Sequence, residues 1–154
     1  MSVTEIEQAI PHRPPMRLLD EIVERTESSI VCTKTFLADE FFVQGHFPDQ
    51  PIVPGVIQCE CCLQAGAVLL QQFMSTSGNQ VPVATRMDGV KFKKLVRPGD
   101  TVEIHVTLKE RVSNAYFLNG KMLLDGKPTA RLEFACTIAD PTPPADQTSA
   151  ESRS

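Results

Sequence analysis

A long apolar segment with a single charged residue most constrains how this chain can fold. Residues 55–73 contain Glu60 and no other charged side chain, and their apolar residues would occur on every side of a helix. Such a pattern is typical of a helix that is buried all round. Proline at position 54 suits the first helical turn, where its missing N–H would be unpaired anyway, so the helix is predicted to begin there. We expect the rest of the chain to fold around it.

Glu60 is the residue of this helix that needs an explanation. Burying an unpaired carboxylate is costly, so such a group is normally paired, protonated or directed at a cavity. Gln64 lies four residues later on the same helix face. The loop before the helix carries His46, and its three prolines hold it in an extended path. Spacing alone leaves two interpretations equally open: an acid/base pair of His46 and Glu60 that lines a pocket, or a buried ion pair or backbone hydrogen bond made by Glu60.

The residues around this pair resemble the signature of a known enzyme family. Residues 45–64 read G-H-F-P-x-x-P-x-x-P-G-V-x-x-x-E-x-x-x-Q. This run resembles the signature of the (3R)-3-hydroxyacyl-[acyl carrier protein] dehydratases of the FabZ type, which have a hot-dog fold. Residues 11–20 resemble the early P-H-R turn of that family, and residues 90–100 resemble its later segment that ends in P-G-D. The resemblance covers the chain from residue 10 to about residue 138.

The resemblance implies a catalytic mechanism. His46 would act as the base that removes the C2 proton of a 3-hydroxyacyl thioester, and Glu60 as the acid that protonates the departing C3 hydroxyl. An amide at the helix N-terminus would stabilise the negative charge on the thioester oxygen, and Gln64 would orient Glu60. The expected substrate-binding residues are Gly55, Val56, Gln64 and Phe47.

The resemblance also implies partners. Each active site would be completed across a homodimer, with histidine and glutamate from different protomers, and such dimers could assemble into a trimer of dimers. Acyl carrier protein would deliver the substrate, and neither a metal nor an organic cofactor is expected. The densest basic run of this acidic chain is predicted to dock the carrier protein, with an ordinary solvated strand edge as the alternative. The run consists of Lys91, Lys93, Lys94 and Arg97.

The sequence departs from the family pattern next to the predicted acid. Gln58, Cys59, Cys61 and Cys62 stand where the family usually has aliphatic residues and alanine. These residues alter the walls near Glu60, so the sequence leaves the acyl chain length open. Two alternative functions also stay open: an acyl thioesterase of the same fold, and a non-catalytic acyl-binding subunit.

Composition narrows the class of protein. A chain of 154 residues with 42% hydrophobic residues fits one domain, predicted over residues 1–139, and the polar segment 140–154 is expected to be a disordered tail. A net charge of −4 argues against a general nucleic-acid binder. The acidic N-terminus and the polar residues of the apolar helix predict a cytoplasmic protein without a membrane span. The five cysteines are expected to be reduced and to pack as small apolar groups.

The secondary-structure pattern indicates an α+β protein. A short helix is predicted over residues 4–9, and the remaining elements are predicted to be strands. These are residues 18–25 and 29–37 before the long helix, and residues 81–87, 89–96, 101–109, 115–124 and 129–138 after it. We expect a curved antiparallel β-sheet wrapped around one long central helix, which with the resemblance is the hot-dog fold. Two further histidines are given no catalytic role: His12 as a turn residue without an acidic partner, and His105 on a solvated strand face.

Overall fold

The computed structural model of the protein, which describes residues 3–75 and 78–143, is built around one long helix. This helix, α2, spans Gly55–Leu70 and continues into a 3₁₀ turn at Gln71–Phe73. It begins at Gly55, one residue after the predicted start, and Pro54 is its N-cap. From Gln58 onward nearly all of its side chains are buried, whereas Glu60 is only half-buried. The prediction of a helix buried on every side is therefore confirmed.

Six strands form a single antiparallel sheet in the order β1-β2-β4-β5-β6-β3. Helix α2 contacts five of these strands, β2 to β6, so the sheet encloses it. The short helix α1 packs against α2 and β1. The predicted α+β arrangement is confirmed. The elements are α1 (Val3–Ala9), β1 (Glu21–Arg25), β2 (Ser29–Thr35), β3 (Val81–Phe92), β4 (Thr101–Val112), β5 (Ala115–Leu124) and β6 (Lys127–Ala139).

Alternation of apolar and polar residues positions the strands on the helix. In β4, Val102 and Ile104 are fully buried, whereas the intervening Glu103 is exposed. Successive side chains of a strand point to opposite faces, so one face of the sheet covers α2 and the other meets solvent. Strands β5 and β6 are joined by a two-residue turn at Asp125 and Gly126, which have φ values of 52° and 77°. Both values are positive, as the tightest hairpin turn requires.

The segment after the long helix differs from the prediction. Residues 81–87 and 89–96 were expected to be two strands, but one strand, β3, runs through Gly89 and ends at Phe92. Its pairing with β6 shifts between Asp88 and Lys91, and Gly89 has a φ of 57°. A bulge inserts a residue without ending the strand. Gly89, the predicted start of a second strand, therefore marks a bulge inside one strand, and residues 93–100 form a loop.

The C-terminal segment carries little described structure. Residues 140–143 are exposed and follow β6, and the Thr142 amide donates to the Asp140 carboxylate at 2.8 Å. Residues 144–154, which include most of the predicted tail, lie outside the described residues. The domain boundary at residue 139 and the disordered tail therefore stay predictions.

All five cysteines are buried and free. Burial raises the pKa of the Cys136 thiol to about 11 and that of Cys32 to about 12, although Arg25 partly opposes the shift at Cys32. These thiols are neutral at ordinary pH and behave as small apolar groups. Cys62 lies at a close approach of α2 to the sheet, because a Cβ on Gly120 would lie 3.0 Å from its Cβ.

Candidate active site

His46 lies in the loop that leads into α2, and local hydrogen bonds fix its ring. The Ile52 amide donates to the His46 carbonyl at 2.8 Å, and the Val53 amide donates to the Val96 carbonyl at 2.7 Å. The Nδ1 atom of His46 lies 3.1 Å from the Ile52 carbonyl oxygen. Because a carbonyl can only accept, this contact assigns the proton to Nδ1. In a neutral imidazole, Nε2 then keeps a free lone pair and can accept a proton.

Phe47 lies against this histidine. The two rings stack with centroids 4.6 Å apart and planes inclined by 19°. The Phe47 side chain is 55% exposed, and Val56, at the second position of α2, is 73% exposed. These two of the four residues predicted to contact substrate thus expose apolar surface.

Glu60 is held by Gln64, one helical turn further along α2. Gln64 Nε2 donates to Glu60 Oε2 at 2.9 Å and to the Met16 carbonyl at 2.7 Å, while Gln64 Oε1 accepts from the Leu18 amide at 2.9 Å. Gln64 is only 1% exposed. Its amide therefore joins the predicted acid to the early turn of the chain.

His12 also belongs to this site, which corrects the prediction that it has no acidic partner. Its Nε2 lies 3.9 Å from Glu60 Oε2, and the two side chains are 29% and 27% exposed. The contact exists because Gln64 binds Met16 and Leu18 and so brings the turn onto α2. No periodicity in the sequence indicated it; the P-H-R run was the only available signal.

Gly55 supplies the first amide of α2. The first amides of a helix have no intrahelical acceptor, and among the described residues neither Gly55 nor Val56 donates its N–H to a protein acceptor. A Cβ on Gly55 would lie 2.8 Å from the Phe92 ring. Packing of Phe92 is thus a second reason for glycine here, besides the predicted close approach of a substrate.

The structure does not bring His46 and Glu60 into contact within one chain. Among the residues described, no hydrogen bond or ion pair joins them: His46 contacts Ile52, and Glu60 contacts Gln64 and His12. A site that uses both side chains therefore requires His46 and Glu60 to be brought together in a way that one chain alone does not show.

The departures from the family pattern lie in the core between α2 and the sheet. Gln58 is 3% exposed, and its Oε1 accepts a hydrogen bond from the Thr129 hydroxyl at 2.8 Å. Thr129 was not singled out from the sequence, and its pairing satisfies a polar group that would otherwise be costly to bury. Cys59, Cys61 and Cys62 are also buried. Burial, followed by smaller effects of neighbours that include Glu60, raises the pKa of Cys61 well above its ordinary value.

The predicted basic cluster is exposed. Lys91 is the penultimate residue of β3, and the other members lie in the loop that follows the strand. The amides of Lys93 and Lys94 both approach the Thr129 carbonyl, at 2.8 Å and 3.4 Å, which holds this loop beside β6. Within the described part of the chain, none of the four members forms an ion pair. Arg86, which could have joined them, is paired with Asp88 at 2.6 Å.

Comparison with known proteins identifies the family. A FabA-like domain matches residues 10–133. A relative named 3-hydroxyacyl-[acyl-carrier-protein] dehydratase FabZ, from Clostridium perfringens, is 39% identical over 127 residues, covering 82% of this chain and 91% of its own length. A relative of the same name from Oenococcus oeni is 38% identical over 139 residues, covering 90% and 99%. The chain belongs to this FabZ-type, FabA-like family.

The fold of this family member has counterparts among solved structures. A chain of the dehydratase heterocomplex ApeI:P from Xenorhabdus doucetiae superposes with a TM-score of 0.73 at 14% identity, over 97% of each chain. The hot-dog fold is thereby confirmed. Among residues 3–75 and 78–143, no group of three His, Cys, Asp or Glu side chains could hold a metal ion. None of the described helices is long and apolar enough to cross a membrane.

Proposed function

We propose that this protein is a hydro-lyase that converts (3R)-3-hydroxyacyl-[acyl carrier protein] to trans-2-enoyl-[acyl carrier protein], a step of fatty-acid synthesis. The family assignment supports the reaction. One feature of the site carries the chemistry: the contact of His46 Nδ1 with the Ile52 carbonyl at 3.1 Å. It leaves Nε2 as the proton acceptor that the reaction requires.

In this mechanism His46 is the base and Glu60 the acid. His46 Nε2 takes the C2 proton, and the electron pair of that C–H bond moves toward the thioester oxygen. The pair then forms the C2=C3 double bond while the C3–O bond breaks. Glu60 gives its proton to the departing hydroxyl, which leaves as water. The cycle therefore begins with His46 neutral and Glu60 protonated, and each group ends with the opposite protonation.

The N-terminus of α2 would stabilise the charge that develops on the thioester oxygen. The amides of Gly55 and Val56 have no acceptor within the described chain, and the dipole of a helix favours negative charge at this end. Donors that are fixed before the reaction stabilise the transition state more than donors that must first reorient. Phe47 and Val56 are then apolar walls for the acyl chain.

We also infer that the active unit is a homodimer. Strand β3 is an edge of the sheet and exposes Val83, Met87, Val90 and Phe92. A long apolar edge with unpaired backbone groups is a template for pairing with another chain. Because His46 and Glu60 do not meet within one chain, a second copy that pairs along β3 would let the two groups come from different protomers. Further assembly into a trimer of dimers stays a prediction.

Lys91, Lys93, Lys94 and Arg97 form the proposed docking cluster for acyl carrier protein. All four are exposed and lack ion-pair partners in the described residues. Phe92, between the first two, packs against Gly55 at the start of α2. A carrier protein bound at this cluster would thus stand beside the helix N-terminus that receives the thioester. Exposed charges of this kind mainly speed association.

A product assay tests the proposed reaction. Purified protein would be incubated with 3-hydroxyacyl carrier-protein substrates of several chain lengths, and the products identified by mass. We expect the enoyl thioester, smaller than the substrate by one water. Release of the free acid would instead indicate the thioesterase alternative, and binding without turnover the non-catalytic subunit. The same experiment gives the chain-length preference.

A further inference from the structure

The imidazole of His12 has an unusual environment. Its Nε2 faces Glu60 Oε2 at 3.9 Å, whereas its Nδ1 is buried and has no hydrogen-bond partner in the described part of the chain. A buried N–H without an acceptor is costly and rare. The ring is therefore favoured as the neutral tautomer that carries its proton on Nε2. That nitrogen is the one that lies 3.9 Å from Glu60 Oε2.

The two oxygens of Glu60 have different surroundings. Oε2 accepts the hydrogen bond from Gln64 Nε2 at 2.9 Å and is also the oxygen that faces His12. Oε1 has no hydrogen-bond partner among the described residues. In a protonated carboxyl group only one oxygen carries the proton, and donors directed at the other oxygen stabilise it as the acceptor. Both neighbours therefore favour a proton on Oε1.

We propose that His12 is a positioning residue that acts with Gln64 to hold Oε2 of Glu60 as an acceptor, so that the transferable proton resides on Oε1. The inference rests on the proposed role of Glu60 as the acid. Without these donors the proton would be shared between both oxygens, and part of the enzyme would hold it on Oε2, the oxygen that Gln64 and His12 surround.

The turn that carries His12 is held in place before substrate binds. Arg13 donates to the carbonyls of His12, at 2.7 Å, Ile10, at 3.0 Å, and Glu7, at 3.0 Å. The separation of 3.9 Å between His12 and Glu60 is longer than a hydrogen bond. Catalytic hydrogen bonds are often long without substrate and shorten in the reactive complex. A shift of the Glu60 side chain toward His12 on substrate binding would complete the contact.

Two amide substitutions test the role of the Nε2 donor. In His12→Gln the side-chain amide can reach the position of Nε2, whereas in His12→Asn it reaches only the position of Nδ1. We expect His12→Asn to lower kcat about tenfold or more with KM changed less than about twofold, and His12→Gln to keep kcat within about threefold of wild type. Equal losses of kcat in both variants, or none in either, would overturn the proposal.

An infrared measurement reports on Glu60 directly. The carbonyl stretch of protonated Glu60 is assigned from the difference between wild type and Glu60→Gln, each measured with a non-reactive 3-hydroxyacyl thioester analogue bound, because the contact with His12 is complete only in that complex. Loss of a hydrogen bond to Oε2 should move this band to higher frequency in His12→Asn but not in His12→Gln. An unmoved band in His12→Asn would contradict the positioning role, whatever the thermal stability of the variant.

The same set of variants separates this inference from the proposed function. If Glu60→Gln retains dehydration, Glu60 is not the acid and the positioning role fails with it. If Glu60→Gln is inactive while His12→Asn keeps wild-type kcat and an unmoved band, the proposed reaction stands and only the role of His12 is wrong.

Discussion

At the scale of single residues, hydrogen-bond partners distinguish the three histidines of this chain. Nδ1 of His46 lies against a carbonyl, which leaves Nε2 as an acceptor. Nδ1 of His12 is buried and has no partner among residues 3–75 and 78–143, and its Nε2 lies 3.9 Å from Glu60 Oε2. His105 lies on the outer face of the sheet, 3.0 Å from the carboxylate of Glu103. The same side chain thus offers an acceptor nitrogen at position 46, lies 3.9 Å from a carboxyl oxygen at position 12, and lies beside a surface carboxylate at position 105.

We expect His46→Ala and Glu60→Gln each to lower kcat by a factor of about 10² to 10⁴, the usual contribution of a general acid or base. The double variant should lose little more than either single variant, because groups that act in one step are not additive. Steady-state kinetics on carrier-protein substrates measures the effect. His105→Ala is the matched control and should keep wild-type turnover. Near-wild-type turnover in either single variant would refute the assignment.

Replacing Gln64 should cost stability as well as activity. Gln64→Leu leaves the buried Leu18 amide and the partly buried Met16 carbonyl without their partner. A buried unpaired group costs about 1–3 kcal/mol, and a partly buried one costs less because water can reach it. We expect the free energy of unfolding to fall by about 2–4 kcal/mol, measured by urea denaturation. The same substitution at the exposed Gln72, which donates to the Glu27 and Leu69 carbonyls, should have a much smaller effect. Equal costs at both positions would contradict this account.

At the scale of the elements, close contact between α2 and the sheet depends on two glycines. A Cβ on Gly66 of α2 would lie 2.8 Å from the buried Phe134 ring of β6, and a Cβ on Gly120 of β5 would lie 3.0 Å from Cys62. The helix can therefore approach the sheet only because these positions carry no side chain. This approach also brings Gln58 to Thr129 and fixes the direction in which Glu60 emerges.

Gly66→Ala should destabilise the fold despite the higher helix propensity of alanine. Propensity favours alanine by about 1 kcal/mol, but forcing a methyl group into a filled core costs about 1–3 kcal/mol. We expect a net loss, seen as a lower denaturation midpoint with an unchanged slope. Adding Phe134→Leu, which removes the opposing ring, should make Gly66→Ala less harmful than it is alone. A stabilised single variant would show that the ring moves aside freely.

At the scale of the whole molecule, the exposed edge of β3 and the separation of His46 from Glu60 both point to a second copy. The edge carries apolar side chains that water would otherwise contact. Pairing along it would bury them and extend the sheet through both protomers. Assembly and catalysis are therefore expected to be lost together.

Mixing two inactive variants tests the shared site. When His46→Ala and Glu60→Gln homodimers are unfolded and refolded together, each mixed dimer should contain one site with both intact groups. Random mixing should then recover about a quarter of wild-type activity, because half of the dimers hold one of two sites. Each variant refolded alone is the control. No recovery, with mixed dimers present, would show that both groups act within one protomer.

An edge substitution should separate the protomers. Met87→Asp places a charge at the exposed β3 edge, where pairing would bury it at high cost. We expect a monomer by sedimentation and loss of dehydration. Leu37→Asp, at another exposed apolar residue, is the control and should leave the assembly unchanged. A Met87→Asp protein that stays dimeric would contradict pairing along β3.

Reversing charge in the docking cluster should affect association only. Lys93→Glu/Lys94→Glu should lower kcat/KM for carrier-protein substrates, with an effect that shrinks as salt rises, and leave a short thioester without the carrier unaffected. Lys109→Glu/Lys121→Glu makes the same charge change on β4 and β5 and is the control. Equal losses on both substrates would mean that the fold or the site was damaged, and the docking assignment would be dropped.

The sequence by itself determined several features of secondary structure, because interactions between neighbouring residues decide them. Pro54 and the apolar run after it defined the start of α2, alternation defined β4, and Asp125 with Gly126 defined the last hairpin turn. Each of these features depends on residues close together in the chain, because backbone preferences and the spacing of apolar side chains are properties of the local sequence. The motif that carries His46 and Glu60 led to the family for the same reason, because it lies in one continuous run.

Only the tertiary structure decided which distant residues meet. The bulge at Gly89 joins two predicted strands, since pairing with β6 continues although the local pattern breaks. His12 reaches Glu60, and Thr129 reaches Gln58, because α2 lies close against the sheet and Gln64 binds the early turn. These contacts depend on the packing of elements far apart in the sequence. The spacing of apolar residues within one element does not predict them. Packing therefore placed the two carboxyl oxygens of the half-buried Glu60 in different surroundings.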